Sequence, residues 1–345
     1  MSQHTRLPHR RDVASALVAT LMAGPALTAT AQTPPQKIRI GVLQTAGSGP
    51  MYIARDNGHF TREGLEAEII TFDNSQTLAV SIATGDLDFG ATSLAIGFYN
   101  LAARGMVRII AAQGRDAPGF PNNGFIVSNA AWDKGLRTFR DLPGHSIGVP
   151  TPGSGPHYCV GLISEKFGFP MSALDIQWLK SSANLTAALA SNRIDAGVAP
   201  SINALSMVRS GQAKLMGWVG DETPWQLGAA YTSTNHANNK QALVEKFLRA
   251  YRAGVRSYYD AFITPDGKRR DGANADELLA IMSKALDQPI DLVRQSVTYA
   301  DRETRLDGAD ILRQIAWHKA QGLMDGTVDA DALLDRRYVT FLPDK

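Results

Sequence analysis

The sequence predicts an α/β fold of two similar lobes, and three observations carry that prediction. Strand-like and helix-like segments alternate from Lys37 to about position 218. The whole order of segments occurs twice, in a register of 106 to 107 residues. Glycine-rich loops follow the strands and open directly into helices. Strands separated by helices of this length require right-handed crossovers and a mainly parallel sheet in each lobe.

The first pass begins with KIRIGVLQ from Lys37, whose branched apolar residues mark a buried strand. The loop Thr45–Gly49 is turn-prone, and Pro50 suits the first position of a helix because its missing N–H would be unpaired there. That helix runs through MYIARDN and stops at Gly58. LEAEIITF is a second strand, followed by a helix from about Ser75 to Thr84 that stops at Gly85. Asp88–Ala91 is a short strand, Thr92-Ser93 begins a helix ending near Gly105, and VRIIAAQ is a strand again. The second pass has the strand HSIGVP, the loop Thr151–Gly155 and a helix from Pro156 to about Phe167, stopped by Gly168. DIQWLK, a helix from about Ala183 to Asn192, the strand Asp195–Val198, the Pro200-Ser201 loop, a helix ending at Gly211 and KLMGWV complete it. Gly49-Pro50 and Gly155-Pro156 lie 106 residues apart, as do Gly105 and Gly211, while Leu87–Gly90 and Ile194–Gly197 lie 107 apart. Beyond Thr232 the apolar spacing becomes helical over 240–260, Glu277–Leu286 and Ala309–Gln321, which predicts helices packed on one lobe with solvated basic faces.

The 345 residues fit two domains or one large two-lobed unit, with 44% hydrophobic and 20% charged side chains. Residues 1–31 read as a cleavable secretory signal, with Arg6, Arg10 and Arg11, an apolar run Val13–Ala23 broken at Gly24-Pro25, and Ala29-Thr30-Ala31 as cleavage site. The Arg10-Arg11 pair is compatible with twin-arginine export. The expected destination is therefore the periplasm. The apolar run is shorter than the roughly 20 residues a membrane span needs. The formal charge of +2 sits entirely in that segment, since removing its three arginines and Asp12 leaves 32 basic against 32 acidic side chains. No charge excess or Lys/Arg-rich block supports nucleic-acid binding. One cysteine, Cys159, can form no intramolecular disulfide and builds no Cys-rich zinc site.

In open α/β sheets, ligands bind beyond the carboxyl ends of the strands. Those ends are the Thr45–Gly49, Phe72–Gln76, Thr92–Ser93 and Gln113–Arg115 loops of lobe one, and the Thr151–Pro156, Lys180–Asn184 and Pro200–Ser201 loops of lobe two. The candidate ligand-binding residues are Thr45, Gly47, Ser48, Phe72, Gln76, Thr92, Ser93, Gln113 and Arg115 from the first set, with Gly153, Ser154, His157, Pro200 and Ser201 from the second. Neutral donors and helix N-termini suit a small anionic or zwitterionic ligand. Ordinary βα loops use the same residue types as caps, and the facing pair of Gly-Ser loops is what favours binding. His157 could donate to a ligand or face solvent in the first turn of its helix. Arg115 and Lys180 could neutralise an anion or stand on an exposed rim. Phe72, Trp218 and Trp225 could wall a pocket or belong to the core. Cys159 reads as a small buried filler. The nucleophile elbow, H-E-x-x-H, P-loop and G-x-G-x-x-G signatures are missing, and the histidines have no metal-ligand spacing. No catalytic residue, cofactor or metal is expected.

Pro50–Ala54 through Gly58-His59-Phe60, Glu63-Gly64-Leu65, Thr84–Gly90, Asp141–Gly144 with Ile147–Val149, Gly153-Ser154 and Phe247–Tyr251 together resemble the solute-binding proteins of ABC importers. The resemblance is to the nitrate/sulfonate/taurine branch, which shares its type II periplasmic binding fold with thiamine-pyrimidine binding proteins. It implies two lobes joined by a two-crossing hinge, with crossings near 114–125 and 217–230. Lobe one would comprise 37–115 and 228–345, the latter bringing the extra C-terminal helices back to it, and lobe two would comprise 125–217. It implies contacts around Ser48, Gln76, Ser93, Ser154 and Pro200-Ser201, capture of a small anion such as a sulfonate, taurine, nitrate or an aromatic carboxylate, and delivery by a monomer to an inner-membrane ABC permease. A secreted enzyme using His157 or Cys159, a sensor-associated module and a pyrimidine-precursor binding protein are the alternatives.

Overall fold

The computed structural model describes residues 34–324 and 326–343, so the export-signal reading of residues 1–31 lies outside the described residues. Among these described residues twelve strands occur, in the order β1 (Gln36–Leu43), β2 (Leu65–Phe72), β3 (Phe89–Ser93), β4 (Val107–Ala112), β5 (Arg115–Asp116), β6 (Asn123–Ser128), β7 (Ser146–Val149), β8 (Asp175–Trp178), β9 (Ala196–Pro200), β10 (Ala213–Trp218), β11 (Trp225–Gln226) and β12 (Gly228–Ser233). They form two five-stranded sheets, ordered β2-β1-β3-β12-β4 and β10-β6-β9-β7-β8, and a two-stranded ribbon of β5 and β11. Two α/β lobes built on separate sheets are thus present.

The sheets are less uniformly parallel than the segment order predicts. β1 pairs in parallel with β2 and β3, and β7 with β8 and β9. β12 runs antiparallel to β3 and β4, and β6 antiparallel to β9 and β10. The geometry of the crossings explains this. Each crossing leaves one sheet at its carboxyl end and enters the other at the carboxyl end too, where Asn123 faces Pro200 and Gly228 faces Ser93. The entering strand must then run backwards. Both entering strands, NGFIVS and GAAYTS, are buried along their full length, so neither shows the two-residue alternation that marks a half-buried strand.

The helices that follow β1 and β7, Gly49–Asp56 and Gly155–Phe167, each place a proline in the first turn and start 106 residues apart. The Gln241–Phe262 and Ala275–Leu286 helices complete the core on one face of the first sheet, where Phe247 stacks between Phe60 and Phe89. The Gly308–Ala320 helix adds Ile311 and Ile315 to the other face, and its Trp317 packs against the core of the second lobe.

One close crossing is set by a glycine. The Gln241–Phe262 helix packs on Gly49–Asp56 where a Cβ on Gly254 would lie 2.6 Å from the Ala54 Cβ and 2.6 Å from the Pro50 carbonyl oxygen. A backbone oxygen cannot step aside, so the helices must separate. Overpacking typically costs about 1–3 kcal/mol, against about 1 kcal/mol gained from alanine's helix propensity. Gly254→Ala is therefore expected to lower stability by about 1 kcal/mol net, read as an earlier urea midpoint at unchanged slope.

Candidate functional site

The carboxyl-end loops of both sheets, the crossings and a C-terminal turn enclose a cavity of about 380 Å³. That volume is within the range of small-molecule sites. Of the residues singled out from the sequence, Thr45, Gly47, Phe72, Gln76, Thr92, Ser93, Gln113, Ser154 and Pro200 line it. The structure places the other five elsewhere. Ser48 is buried and donates its hydroxyl to the Leu43 carbonyl at 2.7 Å, which ties the loop after β1. Arg115 forms an ion pair with Asp307 at 2.9 Å and so serves the C-terminal segment. Gly153 has φ +68°, and its carbonyl accepts from the Ile96 N–H at 2.9 Å, a backbone bond from one lobe to the other. Ser201 is buried at the start of the Ser201–Arg209 helix.

His157 is a correction to both sequence expectations, since it neither faces solvent nor lines the cavity. Its ring is buried edge-to-face between Trp178 and Trp317, with centroids at 5.0 and 4.9 Å. Its Nδ1 accepts from the Gly153 N–H at 3.1 Å, which fixes the Gly153 turn. Burial pushes its pKa down to about 4. Cys159 is fully buried as expected, and burial raises its thiol pKa well above the ordinary value. Trp225 belongs to the core.

The cavity also contains residues the sequence did not single out. Gln44 follows β1, Asn122 and Asn123 stand on the first crossing, and Leu286 and Gln288 come from the C-terminal segment. Asn122 and Asn123 fall in the crossing expected near 114–125, and their Asn-Asn-Gly run is an ordinary turn signal that does not mark a binding residue. Nothing local marks Leu286 and Gln288. Asp287 between them takes the left-handed conformation, with φ 51°, and the Gln44 side chain donates to the Leu286 carbonyl at 3.0 Å.

The electrostatics are sparse. Among the described cavity residues the only cation is Lys180 and the only carboxylate is Asp73, both exposed. Lys180 holds φ 69°, with its N–H donating to the Pro150 carbonyl at 2.7 Å. Three helices of 9 to 13 residues, Ser75–Thr84, Gly155–Phe167 and Ser182–Ala190, begin at the cavity. Asn74, Ser154 and Ser181 each cap one of them through a side-chain oxygen. Their remaining first-turn N–H groups give the cavity partial positive charge. No group of His, Cys, Asp and Glu among the described residues is arranged to hold a metal ion, and no helix among them is long and apolar enough to cross a membrane.

Behind the wall lies a buried carboxylate on the hinge ribbon. Asp116 of β5 accepts from the Trp225 indole N–H at 2.6 Å and from the Asn123 amide at 2.9 Å. Burial raises its pKa to about 6, against the lowering effect of Asn123, Trp225 and Asn122.

Residues 45–265, more than half of the chain, match the family described as NMT1/THI5-like. A binding protein of Brucella abortus (strain 2308), with no ligand stated, is 29% identical over 161 residues, covering 46% of each sequence, so the match spans about half the length of that curated relative. Among solved structures, the alkanesulfonate-binding protein SsuA of Xanthomonas axonopodis pv. citri bound to MOPS superposes with TM-score 0.69 at 18% identity, over 87% of this chain and 99% of that one. The periplasmic nitrate-binding protein NrtA of Synechocystis PCC 6803 gives TM-score 0.66 at 14% identity, over 86% and 84%. At such identities the likeness is one of fold.

Proposed function

The chain belongs to the NMT1/THI5-like family, and on that premise we propose that it is the exported solute-binding component of an ABC importer, holding a small organic acid or zwitterion between its lobes for an inner-membrane permease. The observation that carries this reading is the cavity itself. Loops from the carboxyl ends of both sheets enclose it, and helix N-termini from both lobes open onto it. A solute touching both lobes favours the arrangement in which they meet, so binding and closure are coupled. The two crossings, 113–122 and 219–227, and their β5–β11 ribbon are the hinge in this reading, with 37–115 and 228–345 as one lobe and 125–217 as the other. In this reading the protein works as a monomer without a cofactor, and its balanced charge offers nucleic acid no net electrostatic attraction.

The test is calorimetry against sulfonates, nitrate, aromatic carboxylates, amino acids and pyrimidines, with small-angle scattering of the free and saturated forms. One-to-one saturable binding with a smaller radius of gyration is the expected result. Folded protein that binds no small solute overturns the proposal.

A further inference from the structure

Resting on the solute-binding reading, the packing of the C-terminal helices distinguishes the contacts between the lobes that can part from those that cannot. The second sheet carries helices on both faces. Gly155–Phe167 packs on the face of Phe125, Val127, Ile147 and Val149, and Ser201–Arg209 packs on the other, with Ile126 and Ala199. The C-terminal segment reaches both of these helices. Trp317 seats on Gly161 of Gly155–Phe167, and the Ile290–Gln295 helix packs against Ser201–Arg209.

The two contacts are held differently. The Gly308–Ala320 helix, which bears Trp317, is laced to the hinge through Gln226 of β11, a fully buried residue. Asp310 accepts from the Gln226 N–H at 2.7 Å, the Gln314 Nε2 donates to the Gln226 carbonyl at 2.7 Å, and the Asp307 N–H donates to the Gln226 Oε1 at 3.1 Å. The Gln226 Nε2 donates in turn to the carbonyls of Gly114 and Gly228, at 3.0 and 2.8 Å. Both crossings and this helix are thus bonded into one block, and each of its buried polar groups would be left unpaired if it came apart. The Trp317 contact is carried on that block.

The other contact is apolar. Ile202 and Leu205 of Ser201–Arg209 join the core of the first lobe, to which Leu286, Leu292 and Val293 belong, whereas Ala204 and Met207 of the same helix face their own sheet. Among the described residues no hydrogen bond or ion pair joins Ser201–Arg209 to residues 286–295. Such a seam can part and re-form without leaving a buried polar group unpaired. Ile202, Leu286 and Gln288 also line the cavity, so the seam borders the space a solute would fill.

We propose that the seam between the Ser201–Arg209 helix and residues 286–295 is the gate of the cavity, opening and closing in the folded protein while the block around Gln226 stays intact.

The test is maleimide labelling of the full chain without solute, with the modified site read by peptide mass and each rate divided by that of the same chain unfolded in urea. Leu205→Cys reports the seam. Val208→Cys, at a position 37% exposed on the same helix, is the open reference, and the native Cys159, fully buried, is the closed one. Leu205→Cys is expected to label about tenfold more slowly than Val208→Cys, as for a gate open about a tenth of the time, and still far faster than Cys159. Should Leu205→Cys fold poorly, Ile202→Cys gives the same reading from the cavity side. Labelling of the seam as fast as Val208→Cys would show that the contact does not form, and labelling as slow as Cys159 would show that it parts only on unfolding. Either result overturns the gate and leaves solute binding intact, since no solute enters the measurement; the calorimetric titration decides that reading separately.

Discussion

Replacing Trp317 by alanine is expected to cost the protein about 3 kcal/mol of stability, the low end of the range for large aromatic truncations, because the residue is only partly buried. The indole joins the two halves of the molecule. It belongs to the Gly308–Ala320 helix, whose Ile311 and Ile315 lie in the core against the first sheet. Its ring meets Tyr158 and His157 of the second lobe edge-to-face, at 5.2 and 4.9 Å, and seats on Gly161, where a Cβ would collide with the indole. Edge-to-face pairs of this kind contribute about 0.5–1.5 kcal/mol beyond the area they bury. Urea denaturation of Trp317→Ala measures the loss, and Trp317→Phe should recover part of it. Gly161→Ala strikes the same contact from the other side and should destabilise as well. A Trp317→Ala midpoint equal to the parent's would show that the helix docks without its indole.

Acidification should cost a comparable amount. His157 and His318 are buried against Trp317, and both are held neutral. Burial lowers each pKa to about 4, and for His318 the nearby charge of His157 adds to it. The His318 Nδ1 has no partner among the described residues that would stabilise the charged form. In the unfolded chain both titrate near 6.5. The unfolded state therefore binds more protons between about pH 6.5 and 4, and stability is lost as pH falls through that window, by about 3 kcal/mol per histidine. Asp116 acts with the opposite sign. Its pKa is raised to about 6, so the folded state holds a proton that the unfolded state releases near 4, and this contribution is present at low pH and lost as pH rises towards 6. The net expectation is a urea midpoint that falls between pH 7 and 4.5, less steeply for His157→Gln and His318→Gln, and more steeply for Asp116→Asn. A flat profile in the parent protein would contradict it.

Much of the scaffold was legible because its signals are local. Pro50 and Pro156 mark helix starts 106 residues apart, and Gly58, Gly85 and Gly168 take the left-handed conformation at or beside helix ends. The carboxyl-end loops of both passes were readable for the same reason, and most of their candidate residues do face one cavity. The misplacements share a cause. Ser48, Arg115, Gly153 and His157 have the right residue types at the right loops, but each is engaged by another group of the protein: the Leu43 carbonyl, Asp307, the Ile96 N–H, and the two tryptophans. Residue type tells what a side chain can bond, and only the fold tells what reaches it first.

The sequence by itself determined the alternation of elements, the two-lobed α/β class and the loops from which a binding site could be built, since propensity, capping and periodicity act over a few residues. The tertiary structure alone decided that β6 and β12 enter the opposite sheets antiparallel, that the Gly308–Ala320 helix binds both lobes through Trp317, and that the Asn123 amide N–H is engaged by Asp116. Each of these depends on partners beyond the reach of a single turn or cap, from 7 residues for Asn123 and Asp116 to well over a hundred for Trp317 and Tyr158. No local pattern encodes such pairings; they follow from which surfaces remain to be buried once the two sheets have formed.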